Sequence, residues 1–127
     1  MVHTVLIVDD SPTIRSVAKI HLMGCGYDFV EADSAERALQ VLKLVPVSLV
    51  LADIRMAGMS GIDFVRAVRA DQRPHVRNAP VVLMTGEKAL PLRAEAMAAG
   101  ANAFLNKPIT SGALLAVVQQ LLPKDVP

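Results

Sequence analysis

Two adjacent acids, Asp9 and Asp10, a third acid, Asp53, a hydroxyl at Thr85 and an amine at Lys107 each stand at or just past the end of a short apolar run in this 127-residue chain. Brought together, they would form a site of definite chemistry. Carboxylates about 4 Å apart repel by roughly 4 kcal/mol per pair at an effective dielectric of about 20. Three of them in one crevice must therefore take up protons or hold a cation. Oxygen donors without His or Cys favour a hard divalent ion, and few protein ligands with several waters suit Mg2+. An ammonium and a hydroxyl beside such an ion bind phosphoryl oxygens. A carboxylate is then the group left to react, and carboxylates act as nucleophiles toward phosphorus. The residue types point to an aspartyl-phosphate site.

The elements between these residues decide whether they meet. Thr4–Val8 (TVLIV) reads as a first strand that stops at Asp9. Ser11-Pro12 predicts an N-cap followed by proline at the first helical position. Ile14, Val17, Ala18 and Leu22 recur at helical spacing and predict one buried stripe, with Gly24 and Gly26 closing the helix. Tyr27–Ala32 reads as a second strand, and Ser34 caps a second helix that buries Ala38, Leu39 and Leu42. Ser48–Ala52 is a third strand ending at Asp53. After the loop Met56–Gly61, a third helix turns Ile62, Val65 and Val68 inward.

Asp71–Asn78 reads as a polar connection to a fourth strand, Pro80–Thr85. Pro91–Ala99 is a fourth helix, Asn102–Leu105 a fifth strand, and Thr110 or Ser111 caps a last helix bearing Leu114, Val117, Val118, Leu121 and Leu122. Strict alternation of strand and helix predicts an α/β fold with a parallel sheet. Strands apolar throughout suit a sheet covered on both faces. Right-handed crossovers then set every strand's carboxyl end on one edge, where open α/β sheets bind ligands. The five polar residues should gather there. Pattern alone leaves the strand order open.

Composition narrows the classes. Apolar residues are 53% and charged residues 20%, which excludes disorder. Thirteen Lys and Arg against twelve Asp and Glu, with 3% aromatics, argue against nucleic-acid binding. No apolar run approaches the ~20 residues of a membrane span, and the start lacks the pattern of a signal peptide. A lone Cys25 makes no intrachain disulfide and suits a reducing, cytoplasmic setting. One cysteine and three scattered histidines are too few for zinc.

The segments VLIVDDSPTIR, LVLADIRMAGMSGIDFV, VVLMTG and AFLNKP resemble, in order, the signatures of response-regulator receiver domains of the CheY-like type. The resemblance covers essentially the whole chain. It implies a flavodoxin-like (βα)5 fold with strand order 2-1-3-4-5, and one receiver domain over residues 1–127 with no output domain. It implies that Asp53 takes a phosphoryl group from the phosphohistidine of a sensor histidine kinase or a phosphotransfer protein. Asp10 and Asp53 would bind Mg2+ directly and Asp9 through water, with the backbone carbonyl of Arg55 as a further ligand. Lys107 would pair with the phosphoryl oxygens. Thr85 would move to meet them, with Phe104 swinging inward behind it. A cis Lys107–Pro108 bond is also implied. Such a domain catalyses nothing beyond its own phosphorylation and the loss of that group.

Where relatives usually carry proline, this chain has Ala57, which fixes φ less tightly. Arg55 and Glu87 are expected to pair across the mouth of the site and restrict attacking water. In relatives the face of the fourth helix, fifth strand and fifth helix meets a downstream target or a second copy, which makes Leu115 a candidate contact. Arg66, Arg69, Arg73, His75 and Arg77 read as a solvated basic patch. A phosphohydrolase with an Asp nucleophile would need a D-x-D motif and a cap, and a nucleotide module would need glycines that DDSPT lacks. An unphosphorylated scaffold receiver would not need the intact set of acids, Thr and Lys.

Overall fold

The apolar runs form five parallel strands, and the amphipathic runs pack as helices on both faces of the sheet. The computed structural model describes residues 2–86 and 90–122. In chain order these are β1 (Thr4–Val8), α1 (Pro12–His21), β2 (Asp28–Ala32), α2 (Ala35–Leu44), β3 (Leu49–Asp53), α3 (Gly61–Ala70), α4 (Pro74–Arg77), β4 (Val81–Thr85), α5 (Leu90–Ala99), β5 (Ala103–Asn106) and α6 (Ser111–Leu121). The sheet order is β2-β1-β3-β4-β5, with every neighbouring pair parallel. This is the 2-1-3-4-5 order that the resemblance implies.

Alternation along the strands divides the core in two. Leu6, Val8, Val50, Ala52, Val81 and Leu83 face the layer of α2, α3 and α5. Val5, Ile7, Leu49, Leu51, Val82 and Met84 face α1 and α6, where Ala18, Leu22, Leu114 and Val118 meet them. Every residue of β3 and β4 is buried, which explains their unbroken apolar runs.

Side-chain caps start the helices close to the carboxyl edge of the sheet. Ser11 accepts from the Ile14 N–H at 3.3 Å, Ser34 from Arg37 at 3.1 Å, and Ser60 from Asp63 at 3.1 Å. Thr110, rather than Ser111, caps α6 by accepting from Ala113 at 3.1 Å.

Three expectations are corrected. The connection after α3 contains a helix, α4, whose four residues are too few to show a helical period. Pro74 presets its first turn and the buried Val76 anchors it. Val17 does not join the buried stripe of α1 but is 39% exposed. Ala18 makes the close approach and turns Val17 into an open groove shared with His21, Pro108 and Ile109. Leu22, not a glycine, is the C-cap of α1, and Gly24 and Gly26 take positive φ in the turn beyond it.

Candidate functional site

The chain winds β1 next to β2 on one side and β3 on the other, so the switch in direction falls between β1 and β3. Asp9 and Asp10 follow β1 directly, and Asp53 is the last residue of β3. Their carboxylates each offer an oxygen within 4.8 Å of the others. Asp9 is 1% exposed and Asp53 6%, while Asp10 faces solvent. Residues 44 positions apart in sequence thus share one crevice because two parallel strands end side by side.

Lys107, just past β5, reaches over the end of β4. Its Nζ lies 3.3 Å from Asp9 Oδ2 and 3.3 Å from Asp53 Oδ2. Asp9 Oδ1 accepts from the Ser11 N–H at 2.9 Å, which fixes the carboxylate plane. Burial raises the pKa of Asp53 above the ordinary carboxylate value, and the charge of Asp9 pushes the same way. The Lys107 ammonium and the Arg55 backbone N–H oppose this rise by favouring the ionised form.

Thr85 ends β4 and is fully buried, and its carbonyl accepts from the Lys107 N–H at 2.7 Å. Phe104 pairs with Leu83 in the sheet and is already buried in the core on the α3 and α5 side. The Lys107–Pro108 bond is cis. The Arg55 side chain is exposed, and its expected partner Glu87 lies outside the described residues. The start of α3 abuts the site: a Cβ on Gly61 would stand 2.4 Å from the carbonyl oxygen of Asp53.

Arg15, in the segment VLIVDDSPTIR, also belongs to this corner of the site. Arg15, one turn into α1, donates from Nη1 to the backbone carbonyl of Asp9 at 2.5 Å and from Nε to Glu31 at 3.0 Å. Its position in the first turns after the acids is the only signal the sequence carries.

The arginines of the proposed basic patch do not act as one surface. Arg69 turns inward onto the carbonyls of Gly100, Arg77 and Ala79, while Arg66 and Arg73 pair with Asp63 and Asp71. Leu115 is half-buried against the α1 and α6 core.

The cluster fits a hard divalent cation. Its donors are all oxygen, one of its acids is open to water, and one ammonium offsets only part of three carboxylate charges.

Parallel strands, a crevice at the reversal of winding and a partly buried acid cluster crossed by a lysine make up the site. Residues 5–119 match the family model described as the response regulator receiver domain. Chemotaxis protein CheY of Pseudomonas aeruginosa is 36% identical over 121 residues, covering 94% of this chain and 96% of that protein. Response regulator protein FleR of the same organism is 40% identical over 118 residues, 93% of this chain but 24% of FleR, so the chain spans about a quarter of that relative. The solved structure of chemotaxis protein CheY4 of Vibrio cholerae superposes with a TM-score of 0.87 at 30% identity, over 96% of this chain and 100% of that one. The chain belongs to the response regulator receiver domain family, as a receiver of the CheY type in two-component signalling. Among the described residues, no helix is long and apolar enough to cross a membrane.

Proposed function

We propose that this receiver accepts a phosphoryl group on Asp53 from the phosphohistidine of a sensor histidine kinase or a phosphotransfer protein. An Asp53 carboxylate oxygen attacks phosphorus as the P–N bond breaks, and the electron pair leaves with the imidazole, which takes up a proton. Asp10 and Asp53 would hold Mg2+ directly and Asp9 through water, with the Arg55 carbonyl as a further ligand. The ion, when bound, neutralises charge on the phosphoryl oxygens. Lys107 gives those oxygens a charged donor from its place 3.3 Å from Asp53.

The new group adds about −1.5 to −2 charges. Only a conformation that brings new donors is favoured by it: the Thr85 hydroxyl, at the end of β4, would move to donate to the phosphoryl group, with Phe104 swinging inward behind it. Output then runs through the α5, β5 and α6 face, including Leu115, to a downstream protein or a second copy. A kinase partner of this kind places the receiver in the cytoplasm.

The observation that carries this reading is the meeting of Asp53 with Asp9, Asp10 and Lys107. Incubation with acetyl phosphate and Mg2+ should add one phosphoryl group by intact mass. Labelling should vanish in EDTA and in Asp53→Asn. Equal labelling of Asp53→Asn would refute it.

A further inference from the structure

We infer that Arg15 is a positioning residue for the divalent-cation site, a role that rests on the reading of the acid cluster given above. The Asp9–Asp10 peptide carries both first-strand acids, and its orientation sets where the Asp10 carboxylate stands. The strand ladder holds one side of that junction, through the Asp9 N–H donated to the Ala32 carbonyl at 3.1 Å. Beyond it, the ladder has ended. Arg15 takes over by donating from Nη1 to the Asp9 carbonyl at 2.5 Å.

The guanidinium is itself fixed. Its Nε donates to Glu31 Oε1 at 3.0 Å, and Lys19 Nζ holds the other Glu31 oxygen at 2.9 Å. A planar fork can bridge a carboxylate and a carbonyl at once, which an ammonium cannot. Arg15 thus ties α1, β2 and the turn carrying the metal-site acids into one rigid corner. Asp10 is exposed and has no neighbouring strand to hold it, so its placement depends on that corner.

Coulomb forces alone predict the opposite of positioning. Arg15 is a positive charge beside an acidic cluster, so its removal should tighten cation binding if charge were all that mattered. If it positions the peptide, its loss should loosen binding, because groups that orient metal ligands typically contribute about 10- to 100-fold in affinity.

The test is calorimetric titration of Mg2+ into the metal-free parent chain, Arg15→Gln, Arg15→Lys and Lys19→Gln, with thermal unfolding of each in EDTA. Positioning predicts about tenfold weaker Mg2+ binding for Arg15→Gln, and weaker binding for Arg15→Lys although its charge is kept. Lys19→Gln, which removes a charge from the same corner and loosens only Glu31 without touching the carbonyl, should lose clearly less affinity than Arg15→Gln. Unchanged or tighter binding by Arg15→Gln would overturn the inference, as would an equal loss in Lys19→Gln. If Arg15→Gln fails to fold, the Arg15→Lys comparison decides alone. A parent chain that binds no Mg2+ sinks the reading of the site and this inference with it, whereas a parent that binds beside an Arg15→Gln that binds equally well sinks only the inference.

Discussion

Lys107 meets Asp53 across the sheet: its Nζ comes from the far side of β4 to within 3.3 Å of Asp53 Oδ2. The same nitrogen lies 3.3 Å from Asp9 Oδ2. One ammonium thus bridges two acids that β1 and β3 force together, and it does so at the position where a phosphoryl oxygen would need a charged donor. The bridge has a structural and a chemical consequence, and both can be measured.

Replacing Lys107 by Met should destabilise the metal-free protein, because two buried carboxylates would lose their shared counter-charge. Breaking a buried pair from one side costs about 3–5 kcal/mol. Lys107 is 21% exposed, so solvent screening reduces the expected loss to about 2 kcal/mol. Mg2+ supplies the missing positive charge and should therefore stabilise Lys107→Met more than it stabilises the parent. Urea unfolding with and without Mg2+ measures both, and an equal Mg2+ effect on the two proteins would contradict the electrostatic account. Labelling by acetyl phosphate should fall even at saturating Mg2+.

Asp53 gives a prediction with a pH sign. Its folded-state pKa is raised, chiefly by burial, so as pH falls the folded protein takes up this proton before the unfolded chain does. Ionised Asp53 therefore subtracts from stability above the raised value and ceases to do so as pH falls through it. Asp53→Asn removes that charge. In metal-free buffer near neutrality it should therefore be more stable than the parent, with a higher thermal midpoint. The difference should shrink on acidification. Thermal scans from neutral to mildly acidic pH test this, and a difference that grows toward acid would show that Asp53 is stabilising in the folded state.

The parts of this molecule that could be read from sequence are those whose physics is local or periodic. β3 and β4 declared themselves because a strand buried on both faces must be apolar along its length, and the runs LVLA and VVLM before Asp53 and Thr85 are. Asp9, Asp53, Thr85 and Lys107 could be placed at one edge because parallel strands all end on the same side. α4 was hidden because Pro74–Arg77 spans a single turn, and its anchor, Val76, is one residue among polar neighbours. The inward course of Arg69 was hidden as well. Three of its four partners are carbonyls of Gly100, Arg77 and Ala79, and backbone acceptors leave no mark in a sequence. The same is true of Arg15 and the Asp9 carbonyl.

Gly61 should tolerate no side chain. A Cβ there would lie 2.4 Å from the Asp53 carbonyl oxygen and 2.8 Å from Ile54 Cα, both backbone atoms that cannot step aside cheaply. Gly61→Ala is expected to cost about 2–3 kcal/mol, as overpacking does elsewhere, and to weaken Mg2+ binding by shifting Asp53. Gly112, in the first turn of α6, has open space at its Cβ position. Gly112→Ala should gain up to about 0.5–1 kcal/mol by restricting the unfolded chain. Denaturant midpoints of the pair give the contrast, and similar effects at both sites would mean that the close approach of α3 to β3 is not there.

Arg69 should hold the end of the sheet opposite the site. Its guanidinium donates to the Gly100 carbonyl at 3.0 Å, to Arg77 at 2.8 Å, to Ala79 at 2.7 Å and to Asn102 Oδ1 at 2.8 Å. These acceptors close α4, α5 and the entry to β5, so a cation there also suits the negative ends of helices. Asn102 Oδ1 takes the Val81 N–H at 2.8 Å as well, which couples the arginine to the first residue of β4. Arg69→Met would strand these acceptors, some of them buried, at a cost of about 2–3 kcal/mol. Arg69→Lys should recover only part of this, since one ammonium cannot span carbonyls on separate segments. Amide exchange should rise at Val81 and around Gly100–Ala103 in Arg69→Met while Mg2+ affinity stays near that of the parent, because the acid cluster lies at the other end of the strands. Exchange that rises evenly over the whole sheet would show that Arg69 serves global stability and not this local closure.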